Sequence, residues 1–199
     1  MAKATKLDAV NIVLSNIGQA PVVNLESGNP MVEMAQLILD EVSRTVQSEG
    51  WVFNTEYGYP FTPDPTTKEI EISDNVLSLD TEHLSTYDAQ IRNGKLYDRG
   101  NHTYDWSDQI NLNVVWEFDF VDLPEAFKNY ITVRAANVFA GRSVGSSEAV
   151  RFGQAEELQA RAGAVEYDTQ QGDYSIFGPT NAHNRYNSYR PEFALYRYS

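Results

Sequence analysis

Apolar residues recur at helical spacing along the first fifty residues of the chain. The first such stretch runs from Thr5 to Ile17, and Thr5 can cap its amino end. The second begins at Asn29, a good N-cap residue, followed by Pro30 at a position where its missing N–H costs nothing. The pattern predicts two helices, with apolar stripes formed by Leu7, Val10, Val13, Leu14 and Ile17 and by Met34, Leu37, Ile38, Val42 and Val46.

Between residues 51 and 120 the hydrophobic pattern alternates. Apolar side chains occupy most alternate positions from Trp51 to Phe61 and every second position from Ile110 to Phe120, which predicts strands with one buried face. Shorter strands are predicted at Lys68 to Ile72 and at Val76 to Leu79. Asn93-Gly94 predicts a hairpin with a type I′ turn, because both central residues of that turn need positive φ. The whole stretch therefore predicts an antiparallel β region.

Helical spacing returns after Asp122, which can cap a third helix. A fourth helix is predicted from Glu148 to about Tyr167, with a thinner apolar face consisting of Val150, Phe152, Ala155, Leu158, Ala162 and Val165. Two helices, a β region and two further helices predict an α+β fold. We expect a four-helix bundle, residues 1–50 and 121–170, with an inserted antiparallel β domain, residues 51–120.

The final stretch, residues 171–199, is predicted to be an extended C-terminal arm. From residue 172 onward its apolar residues follow neither helical spacing nor strand alternation. This stretch contains seven aromatic residues and three arginines against two acidic residues. Ordering the backbone of these 28 residues costs roughly 1–2 kcal/mol each, tens of kcal/mol in total. Seven aromatic residues, buried at roughly 1.5–3 kcal/mol each, return only about 10–20 kcal/mol. We therefore expect the arm to fold onto a partner. Packing against its own subunit and stacking on single-stranded nucleic acid remain alternatives.

Composition and motifs argue against several classes of function. The chain lacks cysteine, which excludes disulfides and thiolate metal sites, and its net charge of −13 disfavours nucleic-acid binding. His83, His102 and His183 have no partners at metal-ligand spacing. Glu69 and Glu71 share a strand face and are expected to be solvated rather than an acid/base pair. We expect a soluble protein without enzymatic activity, cofactor, metal or membrane contact.

Several strings of the sequence resemble one protein family. Asn11 to Val23, followed by Leu25-Glu26, is similar to the opening of the tail tubular protein A family, the adaptors of short-tailed bacteriophages. The string Val46-Gln-Ser-Glu-Gly-Trp-Val-Phe-Asn54, with Pro63-Asp64 after it, resembles the most characteristic segment of that family. Leu96-Tyr-Asp-Arg99 and Leu123-Pro-Glu-Ala-Phe127 resemble two further segments of the family, and all these segments occur in the same order. The resemblance covers about residues 8 to 170.

The resemblance implies a structural protein of the virion tail. It implies a ring of twelve subunits that joins the portal of the capsid to the nozzle, which is built of tail tubular protein B. Tail fibres would dock where adaptor and nozzle meet, and DNA would pass through the central channel without specific binding. A contact between two different surfaces of identical subunits produces such a ring when the rotation from one subunit to the next closes on itself.

Two groups of residues are candidates for contacts with these partners. Tyr97, Asp98 and Arg99 lie beside the predicted turn and could face the nozzle or a fibre. Tyrosine and arginine are favoured at interface hot spots, so the portal-binding candidates in the arm are Tyr186, Tyr189, Arg190, Phe193 and Tyr196. Trp51 and Phe53 are assigned to the junction of the helices and the β region.

Two other functions stay open on the sequence alone. One is a tail-associated cell-wall hydrolase acting through acidic residues, because the carboxylates of glycosidases leave no short signature. The other is a different virion joint, such as a nozzle or head-completion subunit.

Overall fold

The computed structural model describes residues 4–26, 28–81, 87–143 and 147–172. In this part of the chain the fold is mixed α+β, with four helices and small antiparallel sheets. The helices are α1 (Lys6–Ser15), α2 (Pro30–Gln47), α3 (Glu125–Ser143) and α4 (Ser147–Gln171). The strands are β1 (Thr55–Phe61), β2 (Val76–Thr81), β3 (Ala89–Arg92), β4 (Lys95–Asp98) and β5 (Ile110–Trp116).

The first two helices begin as their cap residues predict. The Thr5 hydroxyl accepts the Asp8 N–H at 3.2 Å while the Asp8 carboxylate accepts the Thr5 N–H at 3.0 Å, which forms a capping box. The Asn29 side chain accepts the Met31 N–H at 2.9 Å, and Pro30 is the first residue of α2. The predicted burial of Leu37 is wrong, because Leu37 is 70% exposed on the outer face of α2.

One hydrophobic cluster is shared by all four helices. Helix α3 is central to it, since α3 packs against each of the other three. Phe127, Ile131, Ala135 and Phe139 recur along the buried face of α3 and are fully enclosed. Among the described helices none is long and apolar enough to cross a membrane.

The apolar face predicted for α4 is wrong where the structure describes it. Leu158 is 69% exposed and Val165 43% exposed, while Ala160 and Ala164 are buried. Small residues let α4 lie close to α3, and polar contacts hold it there. Arg161 donates to the Tyr130 hydroxyl of α3 at 2.8 Å, and also to both carboxylate oxygens of Glu49, at 3.1 and 2.7 Å. The positions of large apolar residues therefore do not reveal the buried face of this helix.

The β region has its own hydrophobic cluster. Strands β1, β5 and β2 form a three-stranded antiparallel sheet in that order, and β3 and β4 form a separate hairpin. The predicted type I′ turn is confirmed, because Asn93 and Gly94 have φ of 53° and 70°. Side chains from both sheets enclose this cluster, which includes Phe61, Ile70, Ile72, Leu96, Trp106, Ile110, Leu112 and Val114.

Three predicted strands differ from the structure at their ends or in extent. The first begins at Thr55, because residues 52–54 form a 3-10 turn. The last ends at Trp116, and Phe120 belongs to the helical cluster instead. Residues 68–72 form only an isolated bridge, between Glu71 and Lys95. Alternation continues through each of these segments, so the hydrophobic pattern does not mark where the strand hydrogen bonding stops.

The close approach of α4 to α3 depends on Gly153. A Cβ at this position would lie 2.0 Å from Oδ1 of Asn137, whose amide donates to the Gly153 carbonyl at 2.8 Å and to Glu157 at 3.0 Å. We expect Gly153→Ala to lower the free energy of unfolding by about 1–3 kcal/mol, because the amide must leave both acceptors. Gly163 on the same helix has open space around it and is the matched control.

Gly163→Ala should be neutral or stabilising, by up to about 1 kcal/mol, because alanine favours the helix. Urea unfolding of both variants measures the difference. Equal stability of the two would contradict the packing described for α4.

Candidate functional site

Two buried amide side chains join the helices to the sheet. Asn54 accepts the Trp51 N–H at 2.8 Å and donates to the carbonyls of Gln47, at 2.9 Å, and Trp116, at 2.8 Å. Gln47 donates to the Phe118 carbonyl at 3.1 Å and accepts the Phe118 N–H at 2.8 Å. Asn54 is 1% and Gln47 0% exposed, so these bonds are shielded from water. We call this set of bonds the amide joint.

Aromatic side chains pack on the helical side of the amide joint. The ring of Trp51 lies 4.9 Å from that of Phe127, and Phe53 lies 4.6 Å from the same ring. The Trp51 indole donates to the Val46 carbonyl at 2.7 Å. Trp51 and Phe53 thus lie where the chain leaves α2 for β1, with both rings in the helical cluster.

The amide joint explains the most characteristic string of the sequence. Gln47, Trp51 and Asn54 supply its bonds, and Gly50 has a φ of 74°, a conformation that favours glycine. A Cβ on Gly50 would also meet the Val115 side chain at 3.4 Å. Residues 46–54 therefore form a structural connection between the two hydrophobic clusters, which sequence reasoning detected only as a family signature.

The β3–β4 hairpin presents a cation on an aromatic ring. The Arg92 guanidinium carbon lies 4.1 Å from the centre of the Tyr97 ring, and Tyr97 meets Tyr104 edge to face at 4.9 Å. Lys95, on the same face, pairs with Glu69, and this hydrogen bond raises the pKa of Lys95. Glu69 is thus the partner of a lysine, while Glu71 is exposed.

Of the predicted nozzle- or fibre-facing residues, Asp98 is the buried one. It is 3% exposed, and its carboxylate accepts the Gly100 N–H at 2.7 Å and the Asn101 side chain at 2.8 Å. Burial alone would raise the pKa of Asp98, but the hydrogen bonds from Asn101 and Gly100 and the nearby His102 hold it below its ordinary value. Asp98 shapes the turn after β4.

Tyr97 and Arg99 are placed differently from Asp98. Tyr97 is half-buried beneath Arg92, and Arg99 is exposed with its guanidinium 3.5 Å from the Asp88 carboxylate. The structure brings these two side chains to the same hairpin, as the sequence predicts. The arginine above Tyr97 was not among the predicted residues, although its cross-strand position could have indicated it.

The remaining predicted residues cannot be compared with the described fold. The portal-binding candidates Tyr186, Tyr189, Arg190, Phe193 and Tyr196 lie outside the described residues, as do His83 and His183. Of the predicted arm, only Gln171 and Gly172 are described, and Gln171 still belongs to α4. His102 is exposed, and no cluster of acidic or histidine residues suited to a metal occurs among the described side chains.

Comparisons with known proteins define the class of the chain. A family model described as tail tubular protein matches residues 7–174, so the chain belongs to this family of structural proteins of the phage tail. One relative is tail tubular protein A of Klebsiella phage KP34. It is 27% identical over 163 residues, which cover 76% of this chain and 81% of the relative. The resemblance of the sequence to tail tubular proteins is thereby confirmed, and the chain is a component of the virion tail.

The amide joint makes a testable contribution to stability. We expect Asn54→Ala to lower the free energy of unfolding by about 1–3 kcal/mol, because it leaves the Trp51 N–H buried without its acceptor. Asn111→Ala, at an exposed asparagine of β5, should change it by less than about 0.5 kcal/mol. Denaturant unfolding measures both, and an equal effect of the two substitutions would remove the special role given to Asn54.

Proposed function

We propose that this chain is the adaptor subunit of a short-tailed phage. In this proposal residues 1–50 and 121–170 form a four-helix bundle and residues 51–120 an inserted β domain, with residues 171–199 as an arm. A ring of twelve such subunits joins the portal to the nozzle. The observation that carries the proposal is the match of the tail tubular protein family over residues 7–174.

An adaptor needs different surfaces for different neighbours, and the chain has two that are chemically unlike its acidic body. One is the arm, which follows α4 and carries the aromatic residues and arginines assigned to the portal. The other is the β3–β4 hairpin with Tyr97 and Arg99, which we assign to the nozzle or a fibre. The arm follows an element of the helical cluster, and the hairpin belongs to the β cluster. Each could therefore serve a separate partner.

The charge of the chain suits a conduit for DNA. The net charge of −13 per subunit would repel phosphates wherever acidic side chains face a central channel. Specific DNA binding rests on lysine and arginine neutralising phosphates, and residues 1–171 contain 12 basic against 26 acidic residues. DNA would therefore pass through the ring without being held.

Deleting residues 172–199 should abolish binding to the portal and leave the rest of the protein folded. The reason is that the arm supplies the aromatic and arginine anchors, while both hydrophobic clusters as described consist of residues before Gly172. Pull-down of the purified portal by full-length and truncated protein measures the effect.

Thermal unfolding of the truncated protein is the control, because a cooperative transition shows that its core has survived the deletion. Portal binding at full strength by a folded truncated protein would refute the role given to the arm.

A further inference from the structure

Helix α4 contributes little apolar surface to the cluster that the four helices share. Among its described side chains, residues 153–171, only Ala160 and Ala164 are buried, and Tyr167 is partly buried. Helix α2 buries more and larger apolar side chains, namely Val32, Ala35, Ile38, Leu39, Val42 and Val46. The free energy gained on burial scales with the apolar area removed from water, so the described part of α4 gains less from packing than α2 does.

Polar contacts fasten α4 to the segment between α2 and β1. The Arg161 guanidinium donates to both carboxylate oxygens of Glu49, at 3.1 and 2.7 Å. About two turns further along α4, the Asp168 carboxylate accepts the Val52 N–H at 2.7 Å. Glu49 and Val52 belong to residues 46–54, which also supply the bonds of the amide joint. We call the contacts of Arg161 with Glu49 and of Asp168 with Val52 the latch.

The position of Asp168 is unfavourable for a charge but suits a hydrogen-bond acceptor. Asp168 is partly buried in the last turn of α4, where the helix dipole disfavours a negative charge. No basic side chain of the described residues forms an ion pair with it. Burial raises the pKa of Asp168, and the hydrogen bond from Val52 opposes this effect. The oxygen that accepts the Val52 N–H is therefore the useful feature of this side chain.

We infer that α4 opens from the folded chain as a separate unit, and that the latch closes it onto the segment that carries the amide joint. A helix with little buried apolar area, held by polar contacts that solvent can reach, opens at a lower free energy than the core beside it. The latch is of this kind, since the side chains of Arg161 and Glu49 are 42% and 32% exposed. Residues 172–199 follow α4 directly, so the latch determines the point from which they continue. The inference does not depend on which partner these residues bind.

Amide hydrogen exchange of the full-length protein alone, followed residue by residue by NMR, tests this inference. We expect amides between residues 155 and 170 to exchange at least about tenfold faster than the most protected amides of α3. Their exchange should also depend less on low concentrations of urea, because opening one helix exposes less surface than unfolding the whole molecule. The Val52 N–H should exchange together with α4, because its acceptor leaves with that helix.

A pair of arginine substitutions separates local opening from a general loss of stability. Arg161→Gln should speed the exchange of α4 about fivefold or more, because it removes a contact that exists only while α4 is docked. Arg44→Gln is the matched control: Arg44 also donates to both oxygens of a glutamate, Glu117, but this pair joins α2 to the segment after β5. The control should leave the exchange of α4 unchanged, because the Arg44 pair persists when α4 opens.

Two substitutions of Asp168 test the second contact of the latch, and they decide the question if Arg161→Gln does not fold. Asp168→Ala should speed the exchange of α4 about threefold or more, because the Val52 N–H loses its acceptor. Asp168→Asn should not speed it, since the amide oxygen still accepts this N–H and the unfavourable charge is gone.

Exchange of α4 and α3 at the same rate, with the same dependence on urea, would overturn the separate opening of α4. An effect of Arg44→Gln on α4 as large as that of Arg161→Gln would overturn it as well, because α4 would then exchange only by unfolding of the whole molecule. Wild-type exchange of α4 in Asp168→Ala would contradict the role given to the latch.

Discussion

The amide joint of Gln47 and Asn54 is the constraint on which the arrangement of the molecule depends. It ties the carboxyl end of α2 to the carboxyl end of β5 through the hydrogen bonds of two buried amide side chains. A buried amide without its partners is costly, so these bonds favour one orientation of the sheet relative to the helices. The β3–β4 hairpin, which carries Arg92 and Tyr97, packs on this sheet, so its position relative to the helices depends on the amide joint.

Local sequence signals predicted the parts of the fold that local chemistry determines. Thr5, Asn29 and Pro30 begin helices, and Asn93-Gly94 forms the turn, because each acts within a few residues of itself. The packing of α4 could not be read in this way. Its inward face consists of small residues and of polar side chains that contact Glu49 and α3, and only the tertiary arrangement makes these contacts favourable.

The candidate site was predicted only in part, because local sequence signals identify residues beside a turn but not their burial. Tyr97 and Arg99 were found from their place beside a turn, whereas the burial of Asp98 follows from a turn whose hydrogen bonds involve Gly100 and Asn101. An adaptor, as proposed, would use chemically different elements for its different neighbours: the aromatic arm for one and the β3–β4 hairpin for another.

Electron cryomicroscopy of the assembled virion tail tests the central claim, that this chain joins portal and nozzle, most directly. The account predicts a ring of twelve copies between these two proteins, with residues 172–199 against the portal and the β3–β4 hairpin toward the nozzle. A map with the chain elsewhere in the particle, or with residues 172–199 packed only on their own subunit, would contradict it.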